Sequence, residues 1–313
     1  MKLKNKYLQI PPAFYMMLLL LLIYGILVDN YFTVENMTNI ISQAAPLLVV
    51  ACGQTLIVLL QGTDLSLGSL MSVVSVLWIV LLNMRFTMWA SILIVLAVSA
   101  LFGWINGIIV AKGKLPVFIV TLGTQNIFRS IALLLSRSQT VYHEHYLFRM
   151  IAKNKFLGLS YSVWIALICF FITWIVLRKT KFGMKITGLG GNAEALTLAG
   201  ASISRSTIGA FVFTGVMAGI GGLLLCCRIE SGNPNSGSGF EFNAIAAVLL
   251  GGTSMREGRG GVGGTIFGVL LIQILKSGLT QVGISSIYQN AIIGSVVLAA
   301  IIFDAFIKKY QET

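Results

Sequence analysis

The sequence predicts an all-α, polytopic membrane protein with about ten transmembrane segments, some of them broken or short. Two observations predict this class. The 313 residues are 57% hydrophobic and only 10% charged, with a mean hydropathy of +0.90, whereas soluble domains carry roughly 25% charged residues. The apolar residues also gather in runs close to the ~20 residues that a helix needs to cross a bilayer. Because these runs fill most of the chain, residues 1–313 are predicted to form a single transmembrane domain.

Ten apolar segments are candidate spans. The first is predicted to stay in the protein, because no small-residue cleavage site follows it. The eighth is too short to cross a bilayer unless protein or a cavity lies beside it. The candidates are 12–28, 40–60, 65–82, 90–111, 116–135, 161–177, 207–227, 244–255, 262–276 and 287–307.

The basic residues predict the orientation. The net charge is +12, but Lys and Arg are scattered in short clusters between apolar runs, which is typical of the positive-inside pattern and not of a nucleic-acid surface. Ten crossings place fourteen of the 22 basic residues on the side of both termini and eight on the other side. The two termini and the insert 178–205 are therefore predicted to be cytoplasmic. The loop 137–155 is the exception, with four basic residues on the outer side.

The insert 178–205 is a basic, polar segment between two apolar runs, with a short helix signal over 192–200. Asn192 can cap the helix start, Glu194 lies in the first turn, where the helix dipole favours an anion, and Gly200 fits the position after the end. A helix this short is unstable alone, since isolated helices need roughly 12–15 residues. Its apolar residues are therefore expected to dock on a soluble partner. They are Ala195, Leu196, Leu198 and Ala199.

Two apolar runs are interrupted by glycine in a similar way. Residues 59–63 and 249–253 share the pattern Leu-Leu-x-Gly-Thr, 190 residues apart, which is either a trace of duplication or a coincidence in a glycine-rich chain. Such broken segments in corresponding halves point to a transport path, because irregular backbone at membrane depth persists only beside protein or water. The hinge positions predicted on this basis are Gly62, Gly68, Gly251 and Gly252.

Polar side chains within the spans indicate a substrate path. Asp64 either lines this path or, as the favoured interpretation, it or Thr63 caps the helix that begins at Leu65. Gln54, Thr121 and Asn126 add amide and hydroxyl groups of the kind that an uncharged polyol would require. The alternative for each of them is a hydrogen bond between helices.

Several chemistries have no support in the sequence. The four cysteines lie in apolar segments without disulfide or metal spacing, and His143 and His145 have no further ligand set. The glycine-rich segment 251–261 lacks the Gly-Lys-Ser/Thr ending of a nucleotide-binding loop. With no nucleophile–base pair or paired carboxylates either, the chain is predicted to be no enzyme and to bind no cofactor or metal.

Five segments form a set that characterises one family. They are 53–69 (GQTLIVLLQGTDLSLGS), 105–112 (INGIIVAK), 116–124 (PVFIVTLGT), 190–195 (GGNAEA) and 246–254 (AAVLLGGTS). Taken in order along essentially the whole chain, they resemble the ribose/xylose-type permeases of ABC importers. Three positions depart from that family's usual pattern and leave the solute open: Asn243 replaces Asp, Glu257 replaces Gly, and Leu196 replaces a frequent Ala.

The resemblance implies a transmembrane permease subunit that imports a monosaccharide across the cytoplasmic (inner) membrane. It also implies partners: a second permease copy or a paralogue, ATPase subunits that use ATP and magnesium, and an extracytoplasmic sugar-binding protein. In such importers a cytoplasmic helix couples the permease to the ATPase. By resemblance, this coupling helix corresponds to residues 194–200, within the loop 178–205.

Three other functions stay open. The same architecture serves other solutes, such as a branched-chain amino acid, a nucleoside or an autoinducer-type furanone. An ion-coupled secondary transporter can also contain broken helices, but it would ordinarily need intramembrane carboxylates, for which Asp64 is the one candidate near a span. The third is a membrane scaffold without transport.

Overall fold

The computed structural model describes residues 11–255, 257–285, 287–289, 291–296 and 298. This part of the chain is mostly helical. The helices are α1 Pro12–Leu27, α2 Val34–Leu59, α3 Leu67–Asn83, α4 Met88–Gly113, α5 Val117–Ser136, α6 Tyr146–Lys153, α7 Tyr161–Lys179, α8 Lys181–Leu198, α9 Ile203–Ile229, α10 Phe240–Leu250 and α11 Val262–Gln281. Four two-residue strands accompany them: β1 Val141–Tyr142, β2 Lys155–Phe156, β3 Leu159–Ser160 and β4 Ser231–Gly232.

Six of the described helices are long and apolar enough to cross a membrane: α2, α4, α5, α7, α9 and α11. Three shorter apolar helices, α1, α3 and α10, accompany them. The all-α, polytopic class predicted from composition is thereby confirmed, whereas the count of about ten segments stays a prediction. Its last member, 287–307, extends beyond the described residues.

Helix α2 is the centre of the bundle. Every residue from 44 to 59 is buried, and α7, α9, α10 and α11 pack around the helix. A helix that is apolar on all sides belongs in such a core. At its start, the Thr33 hydroxyl accepts a hydrogen bond from the backbone N–H of Asn36 at 3.3 Å. The helix therefore begins six residues before the predicted span.

Helices α4 and α9 approach each other closely because glycine lies between their backbones. A Cβ added at Gly103 would overlap the carbonyl oxygen of Phe211, and one at Gly215 would overlap that of Ser99. On α4, Ser99, Gly103 and Gly107 recur every four residues. Small residues at this spacing let membrane helices associate through direct van der Waals packing.

The bundle has two different ends. At one end, α6 and β4 lie against α9 and α3, and the strands pair antiparallel as β1 with β4 and β2 with β3. Helix α6 inserts Phe148 against Trp78, with ring centroids 4.9 Å apart. At the other end lies α8, where the Gln61 side chain donates a hydrogen bond of 2.8 Å to the carbonyl of Gly190. These are called the α6 end and the α8 end below.

Candidate functional site: a polar cavity and a glycine junction

The irregular chain between α2 and α3 contains the first predicted hinge. A Cβ added at Gly62 would lie 2.8 Å from the side chain of Val117 on α5. At the start of α3, a Cβ at Gly68 would overlap the carboxylate of Glu241. Both glycines are therefore required because another element comes too close for a side chain.

The second predicted hinge follows α10. Gly251 is the C-cap of that helix, and Gly252 has a φ of +84°, a conformation that glycine adopts most easily. A Cβ at Gly251 would lie 2.6 Å from the carbonyl group of Gly264 on α11. The predicted short segment 244–255 thus corresponds to α10, which begins four residues and ends five residues earlier.

Asp64 holds the start of α3. Its Oδ1 accepts hydrogen bonds from the backbone N–H of Ser66 at 2.8 Å and from the Ser66 hydroxyl at 2.6 Å. The same hydroxyl accepts a bond of 3.0 Å from the Asn106 amide on α4. The predicted helix start at Leu65 is wrong by two residues, since α3 begins at Leu67. The physical reason is that the Asp64 side chain stabilises a turn ahead of the helix.

The other residues of the predicted path have different surroundings, and one of them, Thr121, contacts the chain next to Asp64. Gln54 is fully buried in α2, and neither side-chain polar atom has a hydrogen-bond partner among the described residues. The Thr121 hydroxyl donates to the carbonyl of Thr63 at 3.1 Å. Asn126 is exposed and donates to Leu122 of its own helix. None of these side chains, nor Asp64, lines the polar cavity described next.

A polar cavity of about 340 Å³ opens between α2, α9, α10 and α11, towards the α6 end. It lies within the range of roughly 300–1,000 Å³ that is typical of small-molecule sites. Eight of its twelve lining residues carry a side-chain amide or hydroxyl group. The lining residues are Asn39, Gln43, Leu47, Arg228, Phe240, Asn243, Gln273, Lys276, Ser277, Thr280, Gln281 and Gln289.

The amides of this cavity are linked to one another. The Gln273 side chain donates to Gln43 at 2.8 Å, and Gln43 donates to Asn39 at 3.1 Å. The Gln289 amide donates to the Thr280 hydroxyl at 3.0 Å. Each amide has two donors and one acceptor oxygen with two lone pairs, so capacity remains for the hydroxyl groups of a ligand.

The sequence contains a signal for this cavity that the prediction missed. On α11, Gln273, Ser277, Thr280 and Gln281 recur at helical spacing, and they share one face. On α2, Asn39 and Gln43 are four residues apart. What the sequence could not give is that these two polar faces meet each other.

Glu241 is a second polar site that the prediction missed. The carboxylate is 3% exposed and lies over Gly68. Its Oε1 accepts from the Gln125 amide at 3.2 Å and from the backbone of Gly239 at 3.3 Å. Close to it, Arg129 donates to loop side chains at the α6 end. Gln125, Arg129 and Glu241 therefore tie α5 to the start of α10.

Helix α8 is longer than the short helix that was predicted over residues 192–200. The helix begins at Lys181 and not near residue 192, and the Thr180 hydroxyl accepts a hydrogen bond from the backbone of Gly183 at 3.1 Å. Asn192 is therefore no N-cap, and Glu194 lies in the second half of the helix. The earlier start has a physical cause, because a Cβ at Gly183 would overlap the end of α7, so the two helices follow each other closely.

The end of α8 is as predicted. Gly200 has a φ of +78° and donates to the carbonyl of Thr197, while Ala201 donates to that of Leu196. These two bonds form a Schellman motif, with glycine in the left-handed position. Among the predicted docking residues, Leu198 is 86% exposed and Leu196 is half-buried. The side chains of Asn192 and Ala195 lie outside the described part.

Helix α8 is bent. The Leu196 side chain reaches to 3.0 Å from where a Cβ of Gly188 would be. Eight residues of straight helix would separate these positions by ~12 Å, which is farther than a leucine side chain extends. The helix therefore bends between them, and the pair Gly190–Gly191 lies within that interval; paired small residues are a usual cause of such kinks.

The bend is also a junction of three elements. A Cβ at Gly190 would overlap the carbonyl oxygen of Leu59 at the end of α2 and would lie 2.7 Å from the Cα of Gly258. Gln61 donates to the Gly190 carbonyl at 2.8 Å. Gly190 of α8 therefore contacts the chain at or next to both glycine-broken segments, 59–63 and 249–253. This contact of Gly190 with Leu59, Gln61 and Gly258 is called the glycine junction below.

Comparison with known proteins identifies the family. Residues 36–301 match the model of the permease component of branched-chain amino acid transport systems. The chain is 32% identical to the ribose import permease protein RbsC of Haemophilus influenzae, over 94% of this chain and 93% of that protein. It is 34% identical to RbsC of Escherichia coli K12, over 92% and 91%, and 31% identical to the L-arabinose transport system permease protein AraH of the same organism, over 92% and 88%. No solved structure matches the chain significantly.

The chain belongs to this family of transport-system permease components. It is a multi-pass membrane protein, as its apolar helices indicate. The similarity to ribose-type ABC importer permeases, predicted from its motifs, is confirmed.

Proposed function

We propose that this chain is the transmembrane permease subunit of an ATP-driven ABC importer for a monosaccharide, ribose- or xylose-like, at the cytoplasmic (inner) membrane. Similar proteins are named as permeases for ribose, L-arabinose and D-allose. The observation that carries the proposal is the amide-rich cavity, because side-chain amides are suited to the hydroxyl groups of a sugar.

The proposed partners follow from the family. The permease works with a second copy or a paralogue, within membrane lipid, and an extracytoplasmic sugar-binding protein delivers the solute. A separate ATPase subunit binds ATP and magnesium, so this chain carries no cofactor and catalyses no reaction. Helix α8 faces the ATPase in the cytoplasm, with both termini on the same side.

Coupling is proposed to run through the glycine junction. Closing of the ATPases moves α8, on which Leu198 is 86% exposed and Glu194 is exposed as well. Because Gly190 contacts both the end of α2 and Gly258, this movement displaces both broken segments together. The helices around the cavity then rock between outward and inward openings.

Reconstitution tests the proposal. The chain is placed in proteoliposomes with a candidate ATPase and binding protein, and uptake of labelled ribose, xylose and arabinose is measured with and without ATP. We expect uptake that requires ATP and is insensitive to ionophores. Uptake that collapses with an ionophore would instead identify an ion-coupled transporter. No uptake of any solute would favour a scaffold.

The solute panel also covers the second candidate. The family model is described by branched-chain amino acids, so labelled leucine, a nucleoside and a furanone signal are included. ATP-dependent uptake of one of these solutes, without uptake of a sugar, would support an ABC permease but show that its solute is not a monosaccharide.

A further inference from the structure

Two cations line the polar cavity without a carboxylate beside them. Arg228, near the end of α9, and Lys276, on α11, are both lining residues. Neither side chain makes a hydrogen bond or an ion pair with another described residue. Arg228 is exposed and Lys276 is partly buried, and ionisable side chains that line a cavity between membrane-spanning helices often mark functional sites. Within the described part of the protein, no carboxylate forms an ion pair with either cation.

Two acidic residues lie close to lining residues along the chain, and both are engaged elsewhere. Glu230, two residues after Arg228, accepts from Lys153 at 2.7 Å and from Arg149 at 3.3 Å. Glu241, next to the lining residue Phe240, is held over Gly68. Neither carboxylate lines the cavity.

Arg228 also connects two spaces. A second cavity of about 190 Å³ shares Asn39, Gln43 and Arg228 with the first and adds Lys153 to its lining. A negative group bound near Arg228 would therefore lie beside the amides of Asn39 and Gln43, while Lys153 is already paired with Glu230. An arginine guanidinium binds a carboxylate or phosphate through two parallel hydrogen bonds.

The remaining lining suits a hydroxylated body. Linked amides surround the space, and Phe240 and Leu47 give it an apolar wall.

We propose that the cavity binds an anionic polyol, a small molecule with several hydroxyl groups and a carboxylate or phosphate. Arg228 and Lys276 contact the anionic group, and the amides contact the hydroxyls. This inference rests on the proposed function and narrows its solute from any monosaccharide to a negatively charged one. The same chemistry also occurs in the glycerophosphate headgroup of phosphatidylglycerol, so the two sources are tested separately.

The first experiment measures the charge of the cavity without any ligand. The variant Ser277→Cys puts a thiol at a lining position of the full chain, in nanodiscs of neutral phosphatidylcholine. The four native cysteines are buried, and the parent protein gives the background labelling. The thiol is labelled with a negatively charged sulfonatoethyl thiosulfonate and with a positively charged trimethylammonium reagent, and the ratio of the two rates is measured. We expect this ratio to be about tenfold higher in the folded protein than in the unfolded protein, because the cations attract the negative reagent.

Neutralising the cations should abolish this preference. The variants are Arg228→Gln and Lys276→Gln, and the matched control is Arg149→Gln, which removes one cation from the same end but outside the cavity. Arg228→Lys keeps the charge and should keep the preference, which separates loss of charge from loss of folding. Equal preference in all variants would overturn the inference.

The second experiment uses named ligands on the same labelled position. Ribonate and ribose 5-phosphate are expected to protect the introduced thiol of the Ser277→Cys protein at concentrations at least about tenfold lower than ribose. This advantage should disappear when Lys276→Gln is added. If added phosphatidylglycerol protects the thiol instead, the anionic polyol is a lipid headgroup. Equal protection by ribose and ribonate contradicts the inference.

Failure here is distinguishable from failure of the proposed function. ATP-dependent uptake of neutral ribose, without any preference for anions, would refute the inference of an anionic ligand and leave the importer function intact. If anions protect the thiol but no combination of ATPase and binding protein gives ATP-dependent uptake, the anionic ligand is supported and the importer function is refuted.

Discussion

The two ends of this molecule differ in what makes their contacts. At the α8 end, backbone meets backbone at Gly190, where no side chain separates α8 from α2 and Gly258. At the α6 end, long side chains such as Gln43 and Gln273 surround an open space of about 340 Å³. Close-packed backbone transmits displacement, whereas flexible amides can adjust to a solute. In the proposed function, the α8 end transmits movement and the α6 end recognises the ligand.

The largest expected effect is at the glycine junction. Gly190→Ala places a methyl group against the Leu59 carbonyl and Gly258, and we expect this overpacking to cost about 1–3 kcal/mol of stability and to abolish ATP-dependent uptake. Thermal unfolding in detergent and uptake in proteoliposomes measure both effects. The matched control is Gly191→Ala, because a Cβ at Gly191 meets nothing within 4 Å. Similar losses of stability and uptake in the two variants would refute a role of the glycine junction in coupling.

A smaller effect on uptake is expected at Asp64, because its replacement should lower stability without abolishing transport. Asp64→Ala removes two hydrogen bonds to a buried carboxylate, and hydrogen bonds to charged groups contribute roughly 1.5–3 kcal/mol each. Loss of thermal stability is the measurement, and Asn126→Ala, at an exposed site, should change the free energy of unfolding by less than about 0.5 kcal/mol. If Asp64→Ala reduces uptake with unchanged stability, Asp64 belongs to the substrate path after all.

Within the cavity the effect should fall on affinity. Gln43→Ala deletes the middle member of the Gln273–Gln43–Asn39 chain. One net hydrogen bond is worth roughly 0.5–1.5 kcal/mol, so we expect about a two- to tenfold higher solute concentration for half-maximal uptake. Thr38→Ala, on the same helix but outside the cavity lining, serves as the control. Equal changes in both variants would argue against a solute site.

The smallest expected effect is a pH dependence at the α6 end. The hydrogen bond from Lys153, and then that from Arg149, lowers the pKa of Glu230 below its usual value. Because the folded-state pKa is depressed, the stabilisation is present above the ordinary carboxyl pKa and is lost as the pH falls through the folded value. The site is largely exposed, so the gain is small.

Tryptophan fluorescence can follow this change, since Phe148 of α6 packs on Trp78. Lowering the pH from about 5 to about 3 should loosen α6 in the parent protein. Glu230→Gln should remove most of this response. An unchanged titration in that variant would show that another group controls the attachment of α6.

The parts of this protein that follow from local pattern could be predicted. Gly200 adopts the left-handed conformation and ends α8 as expected. This could be predicted because the preference for glycine after a helix end depends only on local backbone conformation. The start of α8 was wrong, since Asn192 satisfies the rules of an N-cap but tertiary packing continues the helix from Lys181. The substrate path stays a prediction for a similar reason, because the directions of Gln54, Asp64, Thr121 and Asn126 depend on neighbouring helices.

The sequence by itself determined the membrane class, the broken segments near Gly62 and Gly251, and the family. These depend on composition, on glycine and on motifs that are continuous along the chain. Only the tertiary structure decided that Arg228 and Lys276 line one cavity and that Leu59 and Gly258 meet at Gly190. Both arrangements join residues that are far apart along the chain, and helix packing, not periodicity, brings such residues together.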